Sequence, residues 1–302
     1  MRKQRKKEAT NPTPQKEATQ DNTATETKLA KFNYKNKKPV NGKLKGVVEL
    51  GASGFNSFII ELDKDKNWEV KSKEFGNSLI AEGLTSPEEV NAKLKQYIQK
   101  IVEFGVAPDE IHFVVSSGAE KEDVTQTIKK ELEKIGYVIN IVTPEEEGKY
   151  ALKSVLPKRF EQTGFVVDIG SGNTKISYIN DDEIIGKETY GAKYFQKNIN
   201  DSIVYKEVFN IIETVPERRR AQNFMIGGVP YELAKYLRQG DERYTVLDKD
   251  TKLYKEVVEK KGKKVASGLT IFKAVADASQ TNTIIFDWDA NFTIGFLLSL
   301  DY

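Results

Sequence analysis

The 302-residue chain has no cysteine and a single histidine. The first absence excludes disulfides, thiol nucleophiles and cysteine-ligated zinc or iron–sulfur centres. The second removes a Ser-His-Asp triad: the one imidazole, His112, lies in the apolar run Ile111, His112, Phe113, Val114, Val115, where packing within a strand is expected. No GxxxxGK[ST] string occurs, so there is no Walker loop. No run reaches the roughly 18–20 apolar residues of a membrane span, and no apolar stretch follows the basic start Met1 to Lys7. The expectation is a cytoplasmic protein with no membrane partner. Chemistry is left to carboxylates, Lys and Arg, hydroxyls, backbone amides and a hard metal.

What is present is enough for one large or two medium domains, with 38% hydrophobic and 10% aromatic residues. Charge is unevenly spread. Residues 1–40 hold 11 Lys and Arg against 4 Asp and Glu, a net +7, and the rest of the chain carries −5. Residues 1–42 are polar and without apolar periodicity, which predicts a disordered basic tail. Nucleic acid is expected as a partner only through that tail. Order is expected from the β-rich run Gly46 to Leu50, and two domains are predicted, 43–160 and 161–302. Ser86, Pro87, Glu88, Glu89 reads as a capping box opening a helix, and Thr143 with Pro144 as the start of another.

The chain repeats itself weakly. A strand ending in Glu49-Leu50-Gly51 breaks at small residues and resumes at Ser57, and a strand ending in Asp168-Ile169-Gly170 breaks and resumes at Lys175. The run Phe113 to Gly118 likewise pairs with Asn223 to Gly228. Two halves built alike predict an α/β fold of two similar domains facing a cleft, with both acidic hairpins on its walls. In each hairpin a carboxylate ends a buried strand and small residues follow, so that backbone amides can approach an anion while the acid holds a metal or a water.

These segments resemble the actin-like superfamily and, within it, the exopolyphosphatase and guanosine pentaphosphate phosphatase family. Glu49 to Phe58 is similar to the family's first phosphate motif, and Val167 to Thr174 to its second. Thr143-Pro-Glu-Glu-Glu-Gly-Lys-Tyr-Ala-Leu152 resembles its Glu-Glu-Ala-Arg-Leu box. Gly191 to Phe195, Gly227-Gly228 and Ser267-Gly268-Leu269 fall where the family has further glycine stretches. The resemblance implies two ribonuclease H-like domains and removal of a terminal phosphate from polyphosphate or guanosine pentaphosphate by metal-assisted water attack. It implies Glu146 as general base, Glu49 and Asp168 as ligands of Mg2+, and phosphate cradled by Ala52, Ser53, Gly54, Gly170, Ser171, Gly172, Asn173, Lys175, Gly227 and Gly228. A homodimer is left open.

Other readings stand beside this one. Thr143 and Glu146 also fit a capping box, which accounts for Glu146 without catalysis, and Glu145 and Glu147 are register alternatives. Glu49 stands where the family has Asp. Lys175 stands where it has Glu, a charge reversal that cannot ligate magnesium. Ala119-Glu120-Lys121 replaces the family's Leu-Arg, and Thr293-Ile294-Gly295 its Arg-Glu-Gly. These departures make a degenerate phosphate or nucleotide sensor of the same fold the rival function; a third is an ATP-dependent actin-like or kinase-like member, since Asp168-Ile-Gly-Ser-Gly-Asn-Thr-Lys175 also resembles phosphate loops of plasmid-segregation actins. Asp287 and Asp289 are read as solvated turn acids, and Arg218, Arg219 and Arg220 as a solvated charged face.

Overall fold

A computed structural model describes residues 31–51, 54–76, 86–117, 119 and 123–302. Ala52, Ser53, Gly118, Glu120, Lys121 and residues 1–30 lie outside these. The first sheet has the order β3-β2-β1-β4-β5, from β1 (Lys43–Gly51), β2 (Gly54–Leu62), β3 (Trp68–Phe75), β4 (Ile111–Val115) and β5 (Ile139–Ile141). The first three strands form an antiparallel meander, and β4 and β5 join in parallel. Parallel neighbours need crossovers, which α1 (Pro87–Glu103) and α2 (Asp123–Lys134) supply. α1 starts on the predicted capping box of Ser86 and Glu89 and buries Val90, Leu94 and Ile101 along one face.

The second sheet, from β6 (Gly164–Ile169), β7 (Asn173–Asn180), β8 (Glu183–Tyr190), β9 (Gln222–Ile226), β10 (Tyr244–Leu247) and β11 (Thr283–Asp287), has the order β10-β11-β9-β6-β7-β8. Without β10, an antiparallel edge strand, this is the first sheet's order again. The weak repeat in the sequence is therefore a repeat of topology: two similar α/β domains. α4 (Asp201–Glu213), α5 (Gly228–Leu237), α6 (Lys255–Lys261) and α7 (Lys263–Ser279) cover the second sheet. No helix among the described residues is long and apolar enough to cross a membrane.

Two helices are exchanged between the halves. α3 (Pro144–Val155) follows β5 in sequence but packs on β6, β7 and β8, while α8 (Phe292–Ser299), at the far end of the chain, packs on α3 and against β1. The two helices cross so closely that a Cβ on Gly295 would collide with the Tyr150 carbonyl, which explains a glycine there by packing alone. One shared core results, joining Val47, Ile60 and Val114 of the first sheet to Val166, Phe224 and Ile226 of the second through Leu152 and Ile294. A division at residue 160 is thus a division of the chain more than of its packing.

Residues 32–40, placed by the sequence in the tail, are packed against the rest of the chain. Phe32 packs with ring centroids 5.3 Å from Tyr244 and 5.7 Å from Phe224, and Asn36 donates to the Tyr244 hydroxyl at 2.6 Å. Val40 then donates its N–H to Asp63 beside β3. Phe32 and Tyr34 lie two residues apart, so an extended chain turns both to one side, where they bury ring area on the second sheet. His112 sits in β4 as expected, half-buried, edge-on to Phe296. Burial pushes its imidazole below the usual range.

Candidate functional site

β1 and β6 are the central strands of their sheets, each with an antiparallel hairpin partner on one side and a parallel strand on the other. The hairpin register sets the two acids against specific neighbours. Glu49 pairs across the strands with Asn56, and Asp168 with Lys175. Cross-strand partners project to the same face, so each acid meets its partner's side chain.

At the first hairpin, Glu49 Oε2 accepts from Asn56 Nδ2 at 3.0 Å and from Asn291 Nδ2, at the start of α8, at 3.1 Å. Burial pushes the Glu49 carboxyl up to about 7, the two amides oppose the rise, and Glu147 and Asp168 add to it. At the second, Asp168 is buried and raised chiefly by that burial, with the Lys175 ammonium opposing. Lys175 is itself only 7% exposed. Burial works against its charge, yet Asp168 first and Glu147 next hold its pKa above the usual lysine range.

The third acid comes from α3. The three successive glutamates at its start point about 100° apart around the helix, which assigns each a different task. Glu145 is exposed and pairs with Lys149 at 2.8 Å. Glu146 is exposed and closes the capping box: its Oε2 accepts from the Thr143 N–H at 2.8 Å and hydroxyl at 3.0 Å, and Thr143 Oγ1 accepts from the Glu146 N–H at 3.2 Å. Glu147, 1% exposed, accepts from the Ser117 N–H just beyond β4 and forms an ion pair with Lys175. The general-base expectation at Glu146 thus meets a helix cap, and the register alternative Glu147 is the glutamate brought to Glu49, Asp168 and Lys175. Gly148 packs against the Lys175 stem, where a Cβ would lie 3.6 Å from it, in ordinary van der Waals contact.

The glycine-rich turns differ from the expected cradle. The Gly170 N–H donates to the Asn173 carbonyl at 3.1 Å, within the turn, so this amide is not free for an anion. The Gly170 and Ser171 carbonyls accept from Ala192 and Lys193 at 2.9 Å each, lacing the turn to the segment after β8. Gly172 is exposed at the turn's tip, and Asn173 Nδ2 donates to Glu188 at 3.1 Å. Ala52 and Ser53 fall outside the described residues, and Gly54 pairs with Gly51 to close the first hairpin. Gly227 has φ +102°, and a Cβ on it would lie 2.5 Å from the Ile169 carbonyl and 2.6 Å from Asp168 Oδ1. Only glycine meets both demands, and it brings the start of α5 beside Asp168.

That start has no side-chain cap at Gly227, and Gly228 is exposed. Lys264 Nζ lies 3.7 Å from where a Cβ on Gly228 would be. Burial pushes the Lys264 pKa down and the Lys193 charge lowers it further, against a smaller pull from Glu232. Glu232 is already paired with Lys261 at 3.0 Å. The site therefore has an acidic cluster, where Glu147 pairs with Lys175, and a cationic one, where Lys264 lies beside the start of α5 and Lys193 is near enough to lower its pKa. Lys193, Lys264, Asn56 and Asn291 were not legible as site residues in sequence, although the repeat offset that matches Glu49 to Asp168 also matches Asn56 to Lys175.

Two surface expectations are corrected. Asp287 is buried and takes a bidentate pair from Arg243, with Nε and Nη2 each 3.0 Å from its oxygens, while the guanidinium lies 4.3 Å from the Trp68 ring of the first domain. Arg219 is buried and donates to the Glu161 carbonyl, and Arg220 donates to the carbonyls of Val215, Glu213 and Ala278. These arginines satisfy backbone groups where helices end. Asp289 does face solvent in part and pairs with Lys73 at 3.0 Å.

Mg2+, implied by the resemblance, does not fit this donor set. Among the described residues no three acidic or histidine side chains are disposed to hold a metal ion. The cation that Glu147 and Asp168 share is the Lys175 ammonium, which offers no lone pair to a metal.

No family model matches the chain, and no curated protein matches it. Solved structures do. The Aquifex aeolicus PPX-GPPA enzyme aligns with a TM-score of 0.64 at 18% identity, over 85% of this chain and 99% of that one. An exopolyphosphatase from Cytophaga hutchinsonii aligns with a TM-score of 0.61 at 12% identity, over 84% and 96%. An exopolyphosphatase-like protein gives 0.61 at 13%, over 86% and 98%. This chain has the two-domain, actin-like fold of the exopolyphosphatase and guanosine pentaphosphate phosphatase structures, along nearly their whole length.

Proposed function

We propose that this chain binds a phosphate-rich small ligand, polyphosphate or guanosine penta- or tetraphosphate, in the cleft between lobes divided near residue 160. Its output is ligand-dependent closure rather than metal-assisted hydrolysis. The observation that carries the reading is the cationic end. Lys193 and Lys264 are close enough for one to depress the other's pKa, and among the described residues neither has an ion-pair partner within 4 Å. Beside them α5 opens without a side-chain cap, leaving first-turn amides whose dipole favours an anion. Like charges gathered at a helix N-terminus fit a polyanion better than a neutral ligand. The neighbours' fold supports the ligand class, and the Lys175–Glu147 ion pair argues against a metal-dependent water attack at the other end.

The test is isothermal calorimetry with medium-chain polyphosphate, guanosine pentaphosphate and guanosine tetraphosphate, on the wild type and on Lys193→Ala/Lys264→Ala. Loss of two charge-assisted contacts predicts at least about a tenfold weaker Kd in the double variant. Equal binding by both proteins rejects the site. Hydrolysis remains a second reading because Glu49, with its carboxyl pushed up to about 7, suits a general base at neutral pH. Phosphate release by the wild type in Mg2+, abolished by Glu49→Gln, would decide for it.

A further inference from the structure

Residues 32–40 touch both lobes, and side chains rather than a sheet ladder hold most of the segment. Residues 31–39 belong to no helix or strand, and among the described residues none of them makes a hydrogen bond from backbone to backbone. Phe32, Tyr34 and Asn36 are partly buried while Lys31, Asn33, Lys35 and Lys37 are exposed, the alternation of an extended chain docked on one side. Phe32 and Tyr34 lie 5.5 Å and 5.4 Å, centroid to centroid, from Phe160, and Asn36 donates to the hydroxyl of Tyr244 in the second sheet. The following anchors are on the first lobe. The Val40 N–H donates to Asp63 Oδ2 at 3.0 Å, and the Asn41 carbonyl accepts from the Tyr302 hydroxyl at 3.1 Å. Asp63 is itself fixed, accepting from the N–H groups of Asp65 and Asn67 at 2.9 Å each.

These anchors sit where the chain changes lobes. It passes from the first sheet to the second through α3 and residues 156–163, and returns through residues 288–291 into α8. Phe160 lies on the first passage, and Tyr244 adjoins Arg243, which holds Asp287 at the start of the second. We propose that residues 32–40 are a strap across the two passages that limits how far the lobes open. The limit is one of length. Val40 follows Asn36 by four residues, which fully extended span at most about 14 Å. Pro39 steers Lys38 toward extended backbone, which leaves the link little slack. While both ends are docked, their anchor points separate no further than this. Undocking costs side-chain contacts but breaks no ladder, so the strap is released while both sheets stay folded.

The chain has no cysteine, so two introduced ones carry spin labels without background. Gln96→Cys on α1 and Lys206→Cys on α4 are exposed, one on each lobe, and outside the contacts of the strap. Double electron–electron resonance on the full, ligand-free chain then reads the distance between lobes, and the parent is expected to give one narrow distribution. Inserting about six Gly and Ser residues between Lys37 and Lys38 adds roughly 20 Å of reach and removes no anchor, and a second distance population absent from the parent should appear. Phe32→Ala/Tyr34→Ala should produce that population by undocking. A lengthened strap with the distribution of the parent overturns the proposal. So does a double variant that melts at a lower temperature with unchanged distances, the result that a packing role alone predicts. If the double variant does not fold, the lengthened strap decides by itself, since it keeps every contact. No phosphate ligand is present in these measurements, so failure of the wild type to bind one would reject the proposed function and leave the strap standing.

Discussion

The two central hairpins place an acid and its cross-strand partner at equivalent positions, and only the partner differs: Asn56 faces Glu49, whereas Lys175 faces Asp168. A neutral amide and an ammonium solve the burial of a carboxylate in opposite ways. Two asparagines satisfy Glu49 as hydrogen-bond donors but add no charge, and its carboxyl titrates near neutrality. Lys175 supplies a full charge that Asp168 and Glu147 share, and all three are almost completely buried. The repeated topology gives both hairpins the same register, and the residue at one equivalent position separates a site that can exchange a proton from one that is locked by an ion pair.

The largest expected effect comes from removing each partner in turn. Lys175→Ala leaves Glu147 and Asp168 buried with no cation, and losing one member of a buried pair typically costs about 3–5 kcal/mol. Asn56→Ala leaves Glu49 still bonded to Asn291, and one lost hydrogen bond to a partly exposed carboxylate should cost about 1 kcal/mol. Urea unfolding of the two variants measures the difference. Equal costs at the two hairpins would show that the Lys175 charge contributes no more than an amide.

Next in size is the pH dependence of the first hairpin. The folded-state pKa of Glu49 lies at about 7, above its ordinary value of 4.5, so between those values the folded protein keeps a proton that the unfolded chain has released. Stability from this group is therefore full below 4.5 and falls as pH rises to 7. The linkage amounts to ~3 kcal/mol, reduced to ~2 kcal/mol or less because Glu49 retains some exposed surface. Glu49→Gln removes the titration, so its stability relative to wild type should rise with pH across this window. Carboxyls held below their ordinary value elsewhere, such as Asp63 and Asp277, slope the other way at lower pH and cancel in the comparison. A pH-independent difference between the two proteins would mean that Glu49 ionises normally.

How much of this was legible in the sequence depended on the length scale of the signal. The strands of the two acidic hairpins and the two-fold repetition followed from apolar runs and small-residue breaks, and Glu49, Asp168 and Lys175 lie near the strand ends where those runs placed them. The exchange of α3 and α8 between domains was not legible, because no local pattern tells which sheet an amphipathic helix will cover; the one trace is Gly295, explained only once Tyr150 lies across from it. Asp287 looked like a turn acid because its partner Arg243 is 44 residues away. Phe32 and Tyr34 were lost in the polar average of the forty residues around them, although their spacing of two is the signature of an extended segment with one apolar side.

The smallest expected effect distinguishes neighbours on α3. Three adjacent glutamates are equivalent by composition, and the sequence motif permits the functional role at Glu146 as readily as at Glu147. Geometry separates them: Glu146 contributes to the helix cap at the surface, and its replacement by Ala should cost ~0.5–1 kcal/mol by thermal unfolding while leaving ligand affinity and the pH profile of Glu49 unchanged. Glu147→Gln should act at a distance from any cap. It removes the ion pair with Lys175 and one negative charge from beside Glu49, so the Glu49 titration should move downward, toward 4.5, because Glu147 is one of the charges that hold it up. Carbon-13 NMR of labelled glutamate carboxyls would follow that shift directly. If instead Glu146→Ala moves the Glu49 titration and Glu147→Gln does not, the first turn of α3 is seated one residue out of the register described, and Glu146 returns as the acid of the cleft.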